Sequence, residues 1–480
     1  MKLDTQEREL QIPITGGYGI SRAPFVNSQN LINMYVSYNS SRKKNFLSYS
    51  SGITTPIQIP VGSEIRALYA FNNRLYGVCS DTVFFLDTAL VYNFIGNITT
   101  STGYVGISSN NAQQVSFVDG VQAWIFDPTV PSFLPVTTPS NPPQPLDITF
   151  LDGYFIIASG FQNNFFVSAL NNGMSYDPLQ FAIFQSVPDT LVACRTFKRR
   201  LYLFGNISTE VWTDSGTPDF PLRRDNTILL EHGVYSPKTI SQGFERLVYL
   251  SQDKNGSSSV MLNTGYLPQK ISTPEVEYTI QNLVNNADAD GFLYRENGDV
   301  FYQLNFTQGN LTLLYNFTTD TWSQLRTEAL NRHPGRVHAF FNNNHYMGDF
   351  SQPYIYPFSH QYLNNDGTVA TRTIITPPLR TENFHRFRYD RIQLKVNAGT
   401  GTSTFTNDYD PIVYLSLSKN AGLTFGNRIQ AEVGKIGQFE HRCIWRNLGV
   451  SRDFCMKFEF YHDLPFYVDS CSAYGELMPE

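Results

Sequence analysis

The sequence is poor in charge. Of its 480 residues, 16% are Asp, Glu, Lys or Arg, whereas soluble proteins average about 25%. The net charge is −6, so the chain lacks the overall basic excess that drives binding to nucleic-acid phosphates. Phe and Tyr are abundant instead, with 37 and 28 residues. This composition favours strands and turns over helices and suits permanent contacts with other subunits.

Cysteine is also scarce, and the five cysteines are widely spaced. No Cys-x-x-Cys pair is present, which argues against a zinc site, and a disulfide framework is not expected in a chain of this size. We therefore expect buried free thiols, made in a reducing cytoplasm, and neither a metal nor a cofactor. The cysteines are Cys79, Cys194, Cys443, Cys455 and Cys471.

Several sequence signals of other protein classes are missing. No apolar run reaches about 18 residues, so no membrane-spanning helix is predicted. The first ten residues are charged and lack the apolar core of a signal peptide. There is no G-x-S-x-G elbow, no H-E-x-x-H and no P-loop, and the eight histidines are scattered. We expect no catalytic residue, although the carboxylate pairs of glycosidases have no short signature.

Apolar strands joined by tight turns recur through the middle of the chain. Asp152-Gly153 and Asn297-Gly298 are typical hairpin turns, because both central residues of the favoured turn need positive φ. Seven turns, anchored at 73, 119, 152, 198, 244, 297 and 343, are separated by 46, 33, 46, 46, 53 and 46 residues. A period of roughly 40–50 residues with several strands predicts a β-propeller, here of six or seven blades. The alternative is a series of β-sandwiches with evenly spaced hairpins.

Three regions are predicted in this all-β chain. Residues 1–60 have little regular period and form an N-terminal arm or platform segment, which either embraces a neighbouring subunit or packs on its own domain. Residues 61–360 form the propeller. Residues 361–480 contain strands that alternate cleanly, such as 391–396, and these predict a β-sandwich that completes the platform domain with the N-terminal segment.

One motif is similar to the Asp-box of sialidase-type propellers, S-x-D-x-G-x-T-W. Ser418, Gly422 and Thr424 match the pattern, whereas Asn420 replaces the Asp and Phe425 replaces the Trp. Asn420 can bond to its own backbone two residues on, and Gly422 supplies positive φ. In sialidases this turn is structural and lies away from the catalytic pocket. A single copy outside the propeller therefore predicts a hairpin rather than a catalytic site.

Arginines of the second half form a candidate basic face. Arg386 and Arg388 would share one side of a strand, with Phe387 and Tyr389 on the other. The functional interpretation is a basic face near DNA or at a subunit interface. The sequence favours an ordinary solvated face, because sequence-neutral DNA binding needs a denser patch.

Segments at both ends of the chain resemble the packaged-DNA stabilisation proteins of short-tailed bacteriophages. Residues 442–453 read R-C-I-W-R-N-L-G-V-S-R-D, similar to the family pattern W-R-x-L-G-x-S-R-D, and a strand (458–460) and a terminal A-Y-G-E-L segment (473–477) follow. Residues 30–35 resemble the family's C-x-N-L/M-Y segment. Residues 46–53 stand where the family has L-x-x-T-P-G-L, but this chain lacks the Pro.

The resemblance implies a structural role in the virion tail, after assembly in the host cytoplasm, and no catalytic residue. Such proteins are ring-forming hubs or nozzles, usually hexameric. They join the portal and its adaptor after packaging, extend the channel, pass DNA without sequence-specific binding, retain it, and carry a needle, spikes or fibres. Trp445, Arg446, Arg452 and Asp453 lie in the matching segment and are candidate contacts within the C-terminal domain or between subunits.

Two other functions remain open from the sequence. A sialidase-like enzyme would be supported by several Asp-boxes at blade spacing, but one box is present, outside the propeller region. A glycan-binding or protein-binding propeller of a receptor-binding tail component would suit an aromatic-rich surface. A ring of high native mass without glycosidase activity would favour the hub, and a monomer that hydrolyses sugars would favour the enzyme.

Overall fold

The computed structural model describes residues 8–23, 25–137, 142–217, 220–265, 267–381, 385–399 and 411–478. Within these ranges 44 strands are accompanied by one α-helix and one 3₁₀ helix, as predicted for an all-β chain. Neither of these two described helices has the length and apolar character that crossing a membrane requires. The five cysteines are free and buried, which confirms the expectation of unpaired thiols.

The N-terminal segment supplies strands to both domains. All of its described strands pair within the chain, and a contact with a neighbouring subunit stays a prediction. The strands are β1 (Arg8–Ile12), β2 (Gly19–Ile20), β3 (Ser28–Ile32), β4 (Met34–Asn39), β5 (Lys44–Tyr49), β6 (Gly52–Ile53) and β7 (Ile57–Gln58).

Seven sheets of antiparallel strands follow as the blades of a propeller. In blades 1 to 4 each strand pairs with the next along the chain. Blade 1 contains β8 (Ile65–Phe71), β9 (Arg74–Cys79), β10 (Thr82–Leu86) and β11 (Tyr92–Asn97); blade 2 contains β12 (Gly106–Ser109), β13 (Val115–Val118), β14 (Ala123–Asp127) and β15 (Ser132–Pro135); blade 3 contains β16 (Pro145–Leu151), β17 (Tyr154–Ser159), β18 (Asn164–Ala169) and β19 (Asn172–Ile183); blade 4 contains β20 (Leu191–Phe197), β21 (Arg200–Gly205), β22 (Thr209–Asp214) and β23 (Leu222–Leu230).

The later blades carry the two helices and the ring closure. Blade 5 contains β24 (Gly233–Val234), the 3₁₀ helix (Pro237–Thr239), β25 (Ser241–Gly243), β26 (Arg246–Gln252), β27 (Ser258–Asn263) and β28 (Gln269–Lys270), and α1 (Pro274–Gln281) follows it; blade 6 contains β29 (Asp290–Glu296), β30 (Asp299–Phe306), β31 (Leu311–Asn316) and β32 (Thr321–Leu325); blade 7 contains β33 (Gly335–Phe341), β34 (Asn344–Asp349) and β35 (Tyr354–Ser359). The outer edge of blade 7 is completed by β6 and β7, which pair with β35.

Apolar packing between successive blades holds the ring together. Each of the seven blade-to-blade interfaces has its own cluster of buried apolar side chains, including the interface between blade 7 and blade 1, where Phe341 and Ile65 belong to one cluster. A single blade could not bury both faces of its sheet, so the ring is the unit of stability. The predicted propeller is confirmed, with seven blades in the described residues.

Five of the seven predicted turns join the first and second strands of a blade, and a sixth joins β25 to β26 in blade 5; in all six, both central residues have positive φ. These pairs are Asn72-Asn73, Asp152-Gly153, Lys198-Arg199, Phe244-Glu245, Asn297-Gly298 and Asn342-Asn343. The turn at Asp119 instead joins the second and third strands of blade 2. Its carboxylate accepts hydrogen bonds from the backbone N–H groups of Val121 (3.0 Å) and Gln122 (2.8 Å). This displacement by one strand explains the irregular 33-residue step.

The C-terminal region forms the predicted β-sandwich together with N-terminal strands. One sheet has the order β4-β5-β44-β39-β42, with β1 on β44, and the other includes β3-β38-β43-β40-β41. Buried side chains of both sheets, among them Leu31, Val36 and Trp445, form one core. The strands after the propeller are β36 (Asn364–Asn365), β37 (Thr368–Val369), β38 (Arg372–Ile375), β39 (Phe387–Val396), β40 (Ile412–Ser418), β41 (Ile429–Glu432), β42 (Cys443–Ser451), β43 (Cys455–Phe460) and β44 (Val468–Leu477).

Strand β3 joins the propeller to the sandwich. Its Ile32 pairs in parallel with Gln324 of blade 6, and its other edge pairs antiparallel with β38. Asn30 also donates a hydrogen bond to the Gln324 side chain (3.0 Å). Blade 6 therefore continues into a sandwich sheet as one ten-stranded sheet, so the two domains share main-chain hydrogen bonds as well as a covalent linker.

Candidate functional sites on the sandwich and along the propeller axis

The Asp-box-like turn follows β40 and is closed by its own hydrogen bonds. Ser418 Oγ donates to Asn420 Oδ1 (2.7 Å) and accepts from the Gly422 N–H (2.9 Å). Asn420 Oδ1 also accepts from the Thr424 N–H (3.0 Å), and Asn420 Nδ2 donates to Thr424 Oγ1 (2.8 Å). Gly422 has a φ of 87° and the half-buried Phe425 lies beneath Lys457. The polar groups of the motif thus stabilise the turn itself.

The segment that resembles the phage family alternates between the sandwich core and the solvent along β42. Trp445 is buried, its Nε1 donates to the Ile429 carbonyl (2.9 Å), and its ring lies 5.5 Å from that of Phe458. Arg446, the next residue, is exposed. Trp445 therefore contributes to the interior of its own domain, whereas Arg446 is available on the surface.

Arg452 and Asp453 lie in the connection between β42 and β43. Arg452 is exposed, and Asp453 forms an ion pair with Arg380. Arg380 also donates to the Phe25 carbonyl. Asp453 therefore ties the C-terminal motif, through Arg380, to the N-terminal segment.

The predicted basic face on β39 has the expected alternation. Phe387 and Tyr389 are buried on the core side, Arg386 is exposed, and Arg388 is half-buried. Arg388 forms ion pairs with Asp390 (2.8 Å) and with Glu476 of β44 (3.2 Å). Asp390 and Glu476 neutralise the charge of Arg388. Of the two arginines, only Arg386 therefore presents an exposed charge that these carboxylates do not balance.

A second basic surface surrounds the turn between β4 and β5. Lys44 and Lys395 share one carboxylate, that of Asp469, at 2.9 and 3.2 Å. The exposed Arg42 lines the same pocket of about 410 Å³. Burial acts to raise the pKa of Asp469, but the ion pairs with Lys44 and Lys395 outweigh it and lower the pKa. The sequence did not reveal this cluster, because its members are separated by up to 427 residues.

Arg372 at the start of β38 is a buried cation at the junction of the domains. Its guanidinium donates to the carbonyls of His462 (2.8 Å), Leu464 (2.9 Å) and Leu363 (2.9 Å). The ring of Tyr49, from the N-terminal segment, lies 5.1 Å away. Burial lowers the pKa of Arg372 to about 10, so the group stays charged at neutral pH. One side chain thus connects the linker, the sandwich and the N-terminal segment.

The propeller axis contains two adjoining cavities. The wider one, of about 500 Å³, lies beside the ends of the first strands and has an uncharged polar and aromatic lining with one charged residue, Arg195. The narrower one, of about 300 Å³, lies beside the beginnings of these strands. Tyr69, Ile107, Arg195 and Gln242 line both cavities, so the two cavities adjoin.

β-Bulges place two arginines at the narrower cavity. The pairing register shifts around Arg66 in β8 and around Arg336 in β33, and a bulge re-aims the extra side chain. Arg336 forms ion pairs with Glu64 (2.6 Å) of blade 1 and Asp290 (3.2 Å) of blade 6. Arg195 forms an ion pair with the buried Asp147 of blade 3. These pairs connect different blades, and the sequence alone gave no sign of them.

Among the residues that the structure describes, no group of three or more His, Cys, Asp or Glu side chains has the arrangement of a metal site. The structure brings some of the predicted site residues together. β39 pairs with β42, so Arg388 lies opposite Val450 on the strand that carries Trp445 and Arg446. The Asp-box-like turn follows β40 in the other sheet of the sandwich, and the two cavities are lined by propeller residues.

Comparisons with solved structures find chains of low similarity. A streptogramin B lyase structure is 10% identical, with 64% of this chain and 96% of that chain covered and a TM-score of 0.44. A virginiamycin B lyase from Staphylococcus aureus is 9% identical (64% and 98% covered, TM-score 0.46), and the Pan2 WD40 domain of Neurospora crassa is 10% identical (62% and 89% covered, TM-score 0.43). None of the curated protein sequences matches the chain.

Two family models, in contrast, cover nearly the whole chain in the order of its domains. The model described as "Bacteriophage P22 Gp10, beta-propeller" matches residues 10–362. The model described as "Bacteriophage P22 Gp10, beta-sandwich" matches residues 371–476. The chain therefore belongs to the bacteriophage P22 Gp10 family, and it is a structural protein of the phage tail.

Proposed function

We propose that the protein is the hub, or nozzle, of a short phage tail. In this role it joins the portal and adaptor complex, extends the DNA channel, retains packaged DNA and carries a needle, spikes or fibres. The observation that carries the proposal is the match of both domains to one phage tail family, over residues 10–362 and 371–476. We further propose that the protein works as a ring, with six copies as the expected number.

The connection between the domains supports this role. A hub must transmit load between the proteins above it and the appendages it carries. The domains are joined by the pairing of β3 with blade 6 at Ile32 and Gln324, by the Asn30–Gln324 side-chain hydrogen bond, and by the hydrogen bond from Arg372 to the Leu363 carbonyl of the linker. Hinged domains have smaller and more polar interfaces as a rule.

We propose that the protein has no catalytic activity. The support is the Asp-box-like turn, whose Ser418, Asn420 and Thr424 side chains bond to one another and to the turn backbone. Asn420 also replaces the carboxylate of the sialidase motif, so this turn offers no acid or base. A purified chain that hydrolysed cell-surface glycans would contradict the proposal.

DNA retention gives the decisive test of the hub proposal. Particles would be made with and without the protein, and their DNA content and infectivity compared. We expect heads that lack it to package DNA and then lose it. Heads that keep their DNA but fail to adsorb to cells would overturn the proposal in favour of a receptor-binding tail component.

Charge reversal tests the candidate assembly contact at Arg452. We expect Arg452→Glu to fold but to lose assembly of the ring, because a negative charge placed where the interface accommodates a positive one is repelled by the neighbouring subunit. The measurements are the native mass and the incorporation of the protein into particles. Arg442→Glu, an exposed arginine of the same segment, is the matched control and should assemble. Normal folding and assembly of Arg452→Glu would remove Arg452 from the interface.

A further inference from the structure

The narrower axial cavity is surrounded by cationic side chains from four blades. Arg66 comes from blade 1, Arg195 from blade 4, Lys238 from the 3₁₀ helix of blade 5, and Arg336 from blade 7. Asp290 of blade 6 is the acidic residue of the described lining. The cavity, at about 300 Å³, can hold a small ligand together with water.

The cations around this cavity outnumber the carboxylates that balance them. Arg195 is paired with Asp147, and Arg336 uses both Glu64 and Asp290. The buried Arg66 has no such partner, because its guanidinium donates to the Thr100 hydroxyl and to main-chain carbonyls, those of Ser80, Thr100, Thr102 and Gly103. Of the charged side chains that line the cavity itself, four are cationic and one, Asp290, is acidic, so the lining carries an excess of positive charge.

Of the four cations, Lys238 donates the fewest hydrogen bonds to the described residues. Its nearest carboxylate oxygen, on Asp290, lies 3.9 Å away, which is beyond hydrogen-bond distance. Within the described part of the chain its ammonium donates no hydrogen bond, although the side chain is 20% exposed. Burial lowers the pKa of Lys238 and raises the pKa of Asp290, so both groups lack full solvation. A half-buried ammonium in this state gains from an anionic acceptor.

We propose that the narrower axial cavity binds one small oxyanion of the phosphate or carboxylate class, with Lys238 as the principal donor and Arg336 beside it. Nη2 of Arg336 makes no hydrogen bond to the described residues, since its Nε and Nη1 carry the two ion pairs. The bound oxyanion balances the excess positive charge and links blades 5 and 7. The wider cavity provides the route of entry. This site is independent of the hub proposal.

Calorimetric titration of the full chain with inorganic phosphate, and separately with acetate, at constant ionic strength tests the site. We expect saturable binding of at least one of the two anions at one site per chain. Binding should weaken at least tenfold in Lys238→Met and remain unchanged in Lys254→Met, which removes the same charge from an exposed position of the same blade.

A second variant changes affinity in the opposite direction. Asp290→Asn removes the carboxylate that competes with the ligand while keeping the side-chain shape, so we expect it to bind the anion several-fold more tightly. It also keeps the test valid if Lys238→Met does not fold. Absence of saturable binding to the wild-type chain, equal affinity in Lys238→Met, or weaker binding in Asp290→Asn would each overturn the proposal.

Discussion

Replacement of Arg372 by methionine should weaken the junction of the two domains. Methionine retains most of the side-chain length but removes the three hydrogen bonds to the carbonyls of Leu363, His462 and Leu464. Those carbonyls belong to the linker and to the loop after β43, and the arginine is only 2% exposed. The substitution therefore leaves buried acceptors without a donor, which is more costly than the loss of a solvated contact.

The size of the loss follows from two opposing effects. Hydrogen bonds from a charged group contribute about 2 kcal/mol each. The depression of the Arg372 pKa to about 10 corresponds to about 3 kcal/mol spent in holding the charge away from water. Three bonds offset by that cost leave a net destabilisation of about 3 kcal/mol.

Hydrogen exchange of the β38 and β43 amides in increasing urea would measure this loss where it arises. Arg380→Met is the control: Arg380 is an arginine of the same domain whose ion pair with Asp453 is partly exposed, so a loss below about 1 kcal/mol is expected. If Arg372→Met cost no more than this control, the junction would depend on β3 and apolar packing, and the reasoning from buried carbonyls would be refuted.

Three further predictions concern other parts of the molecule. Burial lowers the pKa of His338 to about 3, so between this pH and about 6.5 the unfolded chain binds a proton that the folded chain does not. The thermal midpoint should therefore fall as the pH decreases from about 6.5 towards 3. An equally steep fall in His338→Gln would show that His338 is not the source. Phe244 and Glu245 have positive φ (51° and 60°), so replacing them with Asn-Gly should stabilise the propeller by about 1–2 kcal/mol in urea unfolding; no gain would show that the turn is unstrained. Trp445→Ala should cost about 3–5 kcal/mol by the same assay, whereas Arg446→Ala should change stability by less than about 0.5 kcal/mol; similar effects would contradict their assignment to opposite faces.

Local features of the fold could be predicted because local residues determine them. The hairpin at Asn297-Gly298 needs only its two central residues and the flanking strands, and the structure has it where predicted. The turn at Asp119 carries the same local signal although it joins a different pair of strands. Sequence spacing therefore indicated the propeller but did not give the position of every strand within its blade.

Features that depend on distant residues could not be predicted. The pairing of β6 with β35 involves two residue pairs, and β6 precedes its partner by about 300 residues. The Arg336–Glu64 ion pair likewise joins residues 272 positions apart. The sequence did suggest basic residues on β39, but the carboxylate of Glu476 that neutralises Arg388 lies on another strand. A local sequence pattern does not identify partners that lie on distant strands.

The ring closure determines when the propeller can form during synthesis. The strands that complete blade 7, β6 and β7, leave the ribosome early, whereas β35 follows about 300 residues later. Until β35 has been made, blade 7 is incomplete, and the apolar face of blade 1 around Ile65, which packs against blade 7, stays uncovered. Contacts of such long sequence separation slow folding and expose unpaired strand edges. A nascent chain interrupted before residue 359 would therefore contain most of the blades but no closed ring, which makes truncated products candidates for aggregation and chaperone binding.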